Sequence, residues 1–311
     1  MRCSVCGRML SKPHEYGNRY YCERHLVTFA QDIPSVWQAS IFTFAVLLLL
    51  VLGSAVAENL FGVRPQGNMR VVVGATVAFL PALLWLAFLY RFAARARESL
   101  SPLLPTVFIL AALVAAALTR PLLYELINLD NWLARANAPN RFFANILLGS
   151  NIHMFALYAI VRYTVWRTPA FERRVDGVLF ALVSGWGYAS MLNLLFVLDQ
   201  GGLTLMNGTF RLIGQLCAFL SGSLVLGYFL GRNRFEDMPV YYLSIGIAAA
   251  ITESGILLYA GAELDVIRLG LTSDGFSPWP GAVLSLAALA ITYAAVDGLL
   301  RRHNALTVAR L

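Results

Sequence analysis

Eight runs of apolar residues, at roughly 37–57, 70–90, 104–126, 142–163, 177–198, 211–231, 239–261 and 281–300, decide what this chain can fold into. Each is close to the ~20 residues an α-helix needs to cross a hydrocarbon layer about 30 Å thick. Inside that layer every backbone N–H and C=O must find its partner within the protein, so only helices and closed barrels span it. Barrel strands would be shorter and would alternate in polarity. Charged residues make up only 13% of the 311 positions, whereas a water-soluble domain carries about 25%. The expected fold is an all-α, polytopic transmembrane bundle of about eight helices. The first run starts after about 35 polar residues, too late for a cleavable signal peptide, so its helix is expected to stay as an anchor.

Charge gives the expected orientation. All 24 basic residues are arginines except Lys12. With the N-terminus inside and eight crossings, seventeen of them fall on the N-terminal side. Seven fall opposite: Arg64, Arg70, Arg120, Arg135, Arg141, Arg211 and Arg268. The positive-inside rule then puts both termini in the cytoplasm of a multi-pass protein of the cell (inner or plasma) membrane. Orientation and anionic lipid headgroups account for the net charge of +7, and no nucleic-acid partner is called for.

Ahead of the membrane domain (37–311) the sequence sets a module at 1–30 and a linker at 31–36. The module carries Cys3, Cys6, Cys22 and His25, spaced C-x2-C, fifteen residues, then C-x2-H. Two-residue spacing lets paired ligands converge on one ion from a tight turn, here at Gly7. Thiolates with an imidazole favour Zn²⁺ in a closed structural site, in the manner of a zinc ribbon or half-LIM finger with Tyr20 and Tyr21 in a short strand. His14 is an alternative ligand. A segment this small folds largely on metal binding, and a reducing cytosol argues against a disulfide. A closed site points to recruitment of a cytosolic protein or to regulation, with no chemistry of its own. Cys217, alone in an apolar run, is a small core residue.

Within the membrane domain, residues 120–141 mix leucines with Glu125, Asn128, Asp130 and Asn131, which suggests a helix end passing into an interfacial amphipathic piece. Residues 262–280 make the longest outer loop. Trp132, Trp166 and Trp279 are expected as interfacial anchors, Asp297 and Arg301 as an i, i+4 pair, and Glu125 as a partner of Arg120 or Arg135. The most specific stretch runs from Asp176 to Phe196, DGVLFALVSGWGYASMLNLLF. Its Asp176-Gly177, Gly185-x-Gly187-Tyr188 and Asn193, with the polar loop Thr168–Val175, Arg211, Gly227-Tyr228 and Gly231, resemble the PrsW family of intramembrane proteases. That family is related to the CAAX-processing and bacteriocin-immunity membrane proteases. The resemblance covers roughly residues 140–262. It implies a bacterial membrane protein with a cavity among its later helices, and peptide hydrolysis in the bilayer on a membrane-anchored regulator such as an anti-sigma factor.

The departures bear on function. The family's Glu-Glu pair falls on Gly149-Ser150, its Lys on His153 and its second Glu on Leu192. Its two later histidines fall near Phe219 and at Glu253 or Ser254. Hydrolysis needs a water polarised by a base or a metal, and Gly149, Ser150, Leu192 and Phe219 supply neither. The expectation is a catalytically silent pseudoprotease whose cavity, at Gly149, Ser150, His153, Leu192, Asn193 and Glu253, binds another protein's transmembrane segment. No metal is expected in the membrane domain and no catalytic residue is favoured. The one acid–base pair on offer is His153 with Glu253, which would make the chain an active peptidase. A neutral packed histidine and a glutamate bonded to a neighbouring helix are the preferred readings. Ser150 with His153 lacks an oxyanion donor and an orienting carboxylate. A third alternative is a proton-coupled transporter or lipid-handling protein with Glu253 as the proton site.

Overall fold

The computed structural model describes residues 1–16, 19–28, 34–91, 100, 102–266 and 279–308, and the apolar runs in it are helices. The N-terminal module pairs β1 (His14–Tyr16) antiparallel with β2 (Arg19–Tyr21), His14 opposite Tyr21, and closes with the short helix α1 (Glu23–Thr28). Then follow α2 (Pro34–Asn59), α3 (Asn68–Leu89) and α4 (Leu103–Val114). Next come α5 (Leu129–Arg135), α6 (Ala138–Ala144), α7 (Asn151–Thr164), α8 (Arg174–Asp199), α9 (Leu205–Phe235), α10 (Tyr241–Val266) and α11 (Trp279–Val308). Eight of the described helical stretches are long and apolar enough to cross a membrane, the third running Leu103–Arg135 and the fourth Ala138–Thr164. Residues 31–33 of the expected linker and 267–278 of the expected loop lie outside the described residues, and α2 is already helical at Pro34.

Two helices form the centre. In α8 and α9, 83% of the most apolar window is buried, against 28% to 44% in the other six spans. They form a hairpin on which α2, α3, α4, α7, α10 and α11 pack. Glycines make the hairpin possible. A methyl group on Gly177 would strike the Gly227 carbonyl and the Gly231 backbone, and one on Gly231 the carbonyl of Arg174. One on Gly187 would strike the Phe108 carbonyl of α4. Backbones this close are how helices associate where lipid removes the hydrophobic drive between them. Asp176 fixes the start of α8, its carboxylate accepting from the backbone N–H groups of Glu172 and Arg173 at 2.7 Å. Glu58 does the same for α9, accepting from the Met206 N–H at 2.7 Å.

The third and fourth spans are irregular in the way that matters for the site. α4 continues through two π-helical stretches, Ala115–Thr119 and Pro121–Leu126. Asn128 then turns the chain with a left-handed φ of 53° into the short helix α5, which buries Leu129 and exposes Trp132. A third π stretch, Asn145–Ser150, joins α6 to α7. Such insertions shift helical register by a residue and cluster at functional sites. Two surface expectations need correction. Arg120 pairs with Asp199 at 2.6 Å, drawn across by the end of α8 and away from Glu125. Trp166 is buried, its Nε1 donating to the Leu230 carbonyl at 3.3 Å and its ring covered by Arg162, so it packs the core where an interfacial anchor was expected. The Asp297–Arg301 pair forms at 2.7 Å.

Candidate functional site

A cavity of about 280 Å³ opens at the end of the bundle opposite the N-terminal module. Its mouth lies where four helices begin or finish: Arg141 on α6, Arg211 near the start of α9, Glu263 near the end of α10 and Gly281 near the start of α11. Arg141 and Glu263 face each other at 2.8 Å, and the Arg211 guanidinium lies 4.3 Å from the Phe196 ring. Leu129 and Leu133 of α5 form part of the wall. Three turns below Arg141 is His153, with Phe219 beside it.

His153 is held from two sides. Its Nδ1 shares a hydrogen bond of 2.6 Å with the hydroxyl of Tyr188, and Phe219 meets its ring edge-on with centroids 4.9 Å apart. With Nδ1 engaged, Nε2 is the ring nitrogen left to the cavity. Gly149 lines the same wall one turn nearer the mouth. A Cβ there would meet only the Leu129 side chain at 3.7 Å and the Ala144 carbonyl at 3.9 Å, ordinary contacts that leave room for a methyl group.

The remaining predicted residues are distributed as follows. Ser150 is fully buried beside Gly149 and does not line the cavity. Leu192 is buried one turn beyond Tyr188 on the same face of α8. Asn193 bridges helices, its Nδ2 donating to the Leu212 carbonyl of α9 at 3.0 Å. Glu253 faces elsewhere, in a shallow depression along α10, where it accepts from Ser221 of α9 and Thr292 of α11. His153 and Glu253 thus engage different neighbours on different surfaces. The partners that sequence reasoning missed are Tyr188, whose signal was the aromatic after Gly185-x-Gly187, and the Arg141–Glu263 pair, which has no local signal.

At the other end of the bundle, Cys3, Cys6, Cys22 and His25 place one ligand atom each within 4.8 Å of one another. The Gly7 turn (φ 68°) brings the first two together; Cys22 follows β2, and His25 lies in α1. The Cys3–Cys22 sulfur separation is 3.9 Å, and His25 Nδ1 lies 3.6 Å from Cys3 Sγ and 3.2 Å from Cys22 Sγ. A tetrahedral ion with metal–sulfur bonds of about 2.3 Å and a metal–nitrogen bond of about 2.0 Å has edges of roughly 3.5–3.8 Å, so this donor set fits one. His14 is on the exposed strand β1, outside the cluster. Burial pushes the Cys3 thiol up, but hydrogen bonds from the backbone of Cys6, Cys22 and Val5 and from His25 outweigh it and hold the group at about 6. Burial raises the Cys22 thiol. The module is docked: Tyr21, fully buried, donates its hydroxyl to the Phe235 carbonyl, and Arg19 donates to that of Arg234. Beneath it the buried Arg174 pairs with Glu236 at 3.1 Å and bonds Asn304 at 3.1 Å.

No known family profile matches the chain, and no solved structure matches it. Over 167 residues, 52% of this chain and 70% of the other, it is 26% identical to protease PrsW of Halalkalibacterium halodurans. The eight apolar helices, the α8–α9 hairpin that opens with Asp176-Gly177 and that similarity agree: this is a PrsW-like integral membrane protein, preceded by a Cys/His finger able to hold a metal ion.

Proposed function

We propose that the membrane domain is a catalytically silent relative of PrsW that recognises a transmembrane partner without cutting it. The observation that carries this is Gly149. It lies on the cavity wall where the resemblance places a catalytic carboxylate, with room for a Cβ that it does not have. Ser150 and Leu192 occupy the other two carboxylate positions, and His153 is committed through Nδ1 to Tyr188. Gly149, Ser150 and Leu192 cannot activate a water as a carboxylate or a metal would, and His153 has Tyr188, not a carboxylate, as its hydrogen-bond partner among the described residues. Bilayer-depth polar groups need hydrogen-bond partners, and the Asn193 bridge and the Glu253 bonds to Ser221 and Thr292 meet that need as structure.

An α-helix about 10 Å across that rises 1.5 Å per residue fills on the order of 120 Å³ per residue. The cavity therefore accepts two or three residues of a partner segment, whose remainder packs on the outer helices. The finger is assigned structural Zn²⁺ and the cytoplasmic side, where it serves recruitment or regulation. The test uses purified full-length protein and single-pass substrates that carry the membrane segments of anchored regulators. No cleavage is expected, with or without added zinc, by the parent protein or by its Glu253→Gln and His153→Ala variants. Cleavage abolished by either change overturns the proposal.

A further inference from the structure

We infer that the outer face of α10 is a homodimer interface, where a second copy of this chain completes the hydrogen bonding of Glu253. The face lies apart from the cavity, so the inference goes beyond the pseudoprotease reading. It stands or falls on association, not on cleavage.

Glu253 stands near the middle of the seventh span, Tyr241–Leu264, where a polar group without a partner is costly. Both of its bonds, from Ser221 and Thr292, fall on one carboxyl oxygen, Oε1. The other, Oε2, has no partner among the described residues, and it is not enclosed, because Glu253 is only half-buried in its shallow depression. Beside it Thr252 is exposed. Thr43, Thr76, Thr106 and Thr164 each return their hydroxyl to the carbonyl four residues back, at 2.5–2.8 Å. The Thr252 hydroxyl makes no hydrogen bond among the described residues. The face therefore presents an unused carboxyl oxygen and an unused hydroxyl, adjacent in sequence and at one depth.

That pairing selects a second copy. Two chains inserted the same way are related by an axis along the membrane normal, which brings equal depths together. A two-fold interface must be self-complementary, and here the Thr252 hydroxyl of each copy meets Glu253 of the other. The match holds in either protonation state, since a carboxylate accepts from a hydroxyl and a carboxylic acid donates to one. A foreign helix would have to bring its own donor to the same level. Close approach is open as well: Ser244, Ala248 and Thr252 are small, exposed and spaced by four, with the exposed Ile245 and Ile256 flanking them. Small residues at that spacing let helix backbones cross closely in lipid.

The experiment counts copies of the full-length protein, carrying one fluorophore per chain, by single-molecule photobleaching in phosphatidylcholine vesicles of decreasing protein density. A monomer–dimer equilibrium is expected. Thr252→Val keeps the shape and removes the donor. It is expected to weaken the dimer about tenfold, two symmetry-related bonds at the average weight that such bonds carry in lipid. Its Tm is expected to match the parent's, because the Thr252 hydroxyl bonds nothing within the described chain. Ala248→Leu, which holds the backbones apart, is expected to leave monomers only. Glu253→Gln keeps both a donor and an acceptor and is expected to stay within about threefold of the parent. Oxidative cross-linking of Ala248→Cys gives a second measurement, read against the parent protein, whose own cysteines set the background. A covalent dimer above that background is expected. A chain that is monomeric at every density overturns the inference. So does a dimer that Thr252→Val leaves unchanged, which would place the contact on another face.

Discussion

Gly177 and Gly149 are both glycines of the PrsW-like region, and the molecule treats them in opposite ways. Gly177 lies at the finger end of the α8–α9 hairpin, pressed against the backbone of Gly227 and Gly231, where no side chain fits. Gly149 lies at the cavity end, where an added methyl group would meet only Leu129 and Ala144, at ordinary contact distances. At the finger end Asp176 accepts two backbone N–H groups and Arg174 is paired. At the cavity end the Ser150 hydroxyl and the Asn193 carbonyl oxygen are buried without a hydrogen-bond partner among the described residues. Asp176, Gly177, Gly227 and Gly231, which carry the resemblance, are thus held by packing, and the proposal of a silenced protease rests on Gly149, Ser150 and Leu192 instead.

The sharpest way to break this comparison is to put a side chain at each glycine of the crossing. Gly177→Leu and Gly231→Leu press against backbone, which no rotamer change relieves, so both are expected to yield no monodisperse protein on size exclusion. Recovery of a folded Gly177→Leu protein would remove the distinction on which the rest is built. Next in size is Arg174→Met. Taking one partner from a buried ion pair costs about 3–5 kcal/mol. Glu236 keeps Arg232 at 2.5 Å, so the low end of that range is expected, visible as a clear fall in Tm in detergent.

How much of this was legible in the sequence follows from the range of the contacts involved. The spans were legible because length and apolarity are local. The glycines of the α8–α9 hairpin were legible as motif residues, but the pairing of the two helices at the centre of the bundle was not. Cys3, Cys6, Cys22 and His25 were legible because ligand pairs are close in sequence. The docking of the finger was not: Tyr21 reaches Phe235 across 214 positions, and nothing near either residue marks the other. The π stretches were equally silent, since a one-residue change of register leaves no trace in composition. Trp166 shows the same limit in miniature. A tryptophan near a helix end is indistinguishable in sequence from an anchor, and only the Leu230 carbonyl and the Arg162 stack place it in the core.

The finger supplies a smaller and more local test of the same end of the bundle. Stripping the metal with a chelator, or replacing Cys22 by Ser, removes the tetrahedral tie that holds β2 to α1. Trypsin is then expected to cut at Arg19 and Arg24 within minutes, while the Tm of the membrane domain stays within a few degrees. Tyr21→Phe deletes a single hydrogen bond to the Phe235 carbonyl, and with the ring still packed the loss is about 1 kcal/mol of docking. A finger that stays protected after metal removal would mean that Tyr21 and Arg19 suffice to hold it, and that the Cys/His cluster does something other than shape the module.

The smallest expected effect is the most discriminating, because its sign is opposite to that of every change above. Gly149 sits inside a helical run, where glycine is less favourable than alanine by about 0.5–1 kcal/mol through backbone entropy. In a tightly packed position that gain is cancelled by overlap, as at Gly177. At Gly149 the nearest atoms to an added methyl are 3.7 and 3.9 Å away, so Gly149→Ala is expected to raise stability by about 0.5–1 kcal/mol, measured by thermal unfolding in detergent against the parent protein. A fall in stability would mean that Gly149 is needed by packing after all. Its lack of a carboxylate would then say nothing about chemistry, and the case for a silenced protease would rest on Ser150 and Leu192 alone.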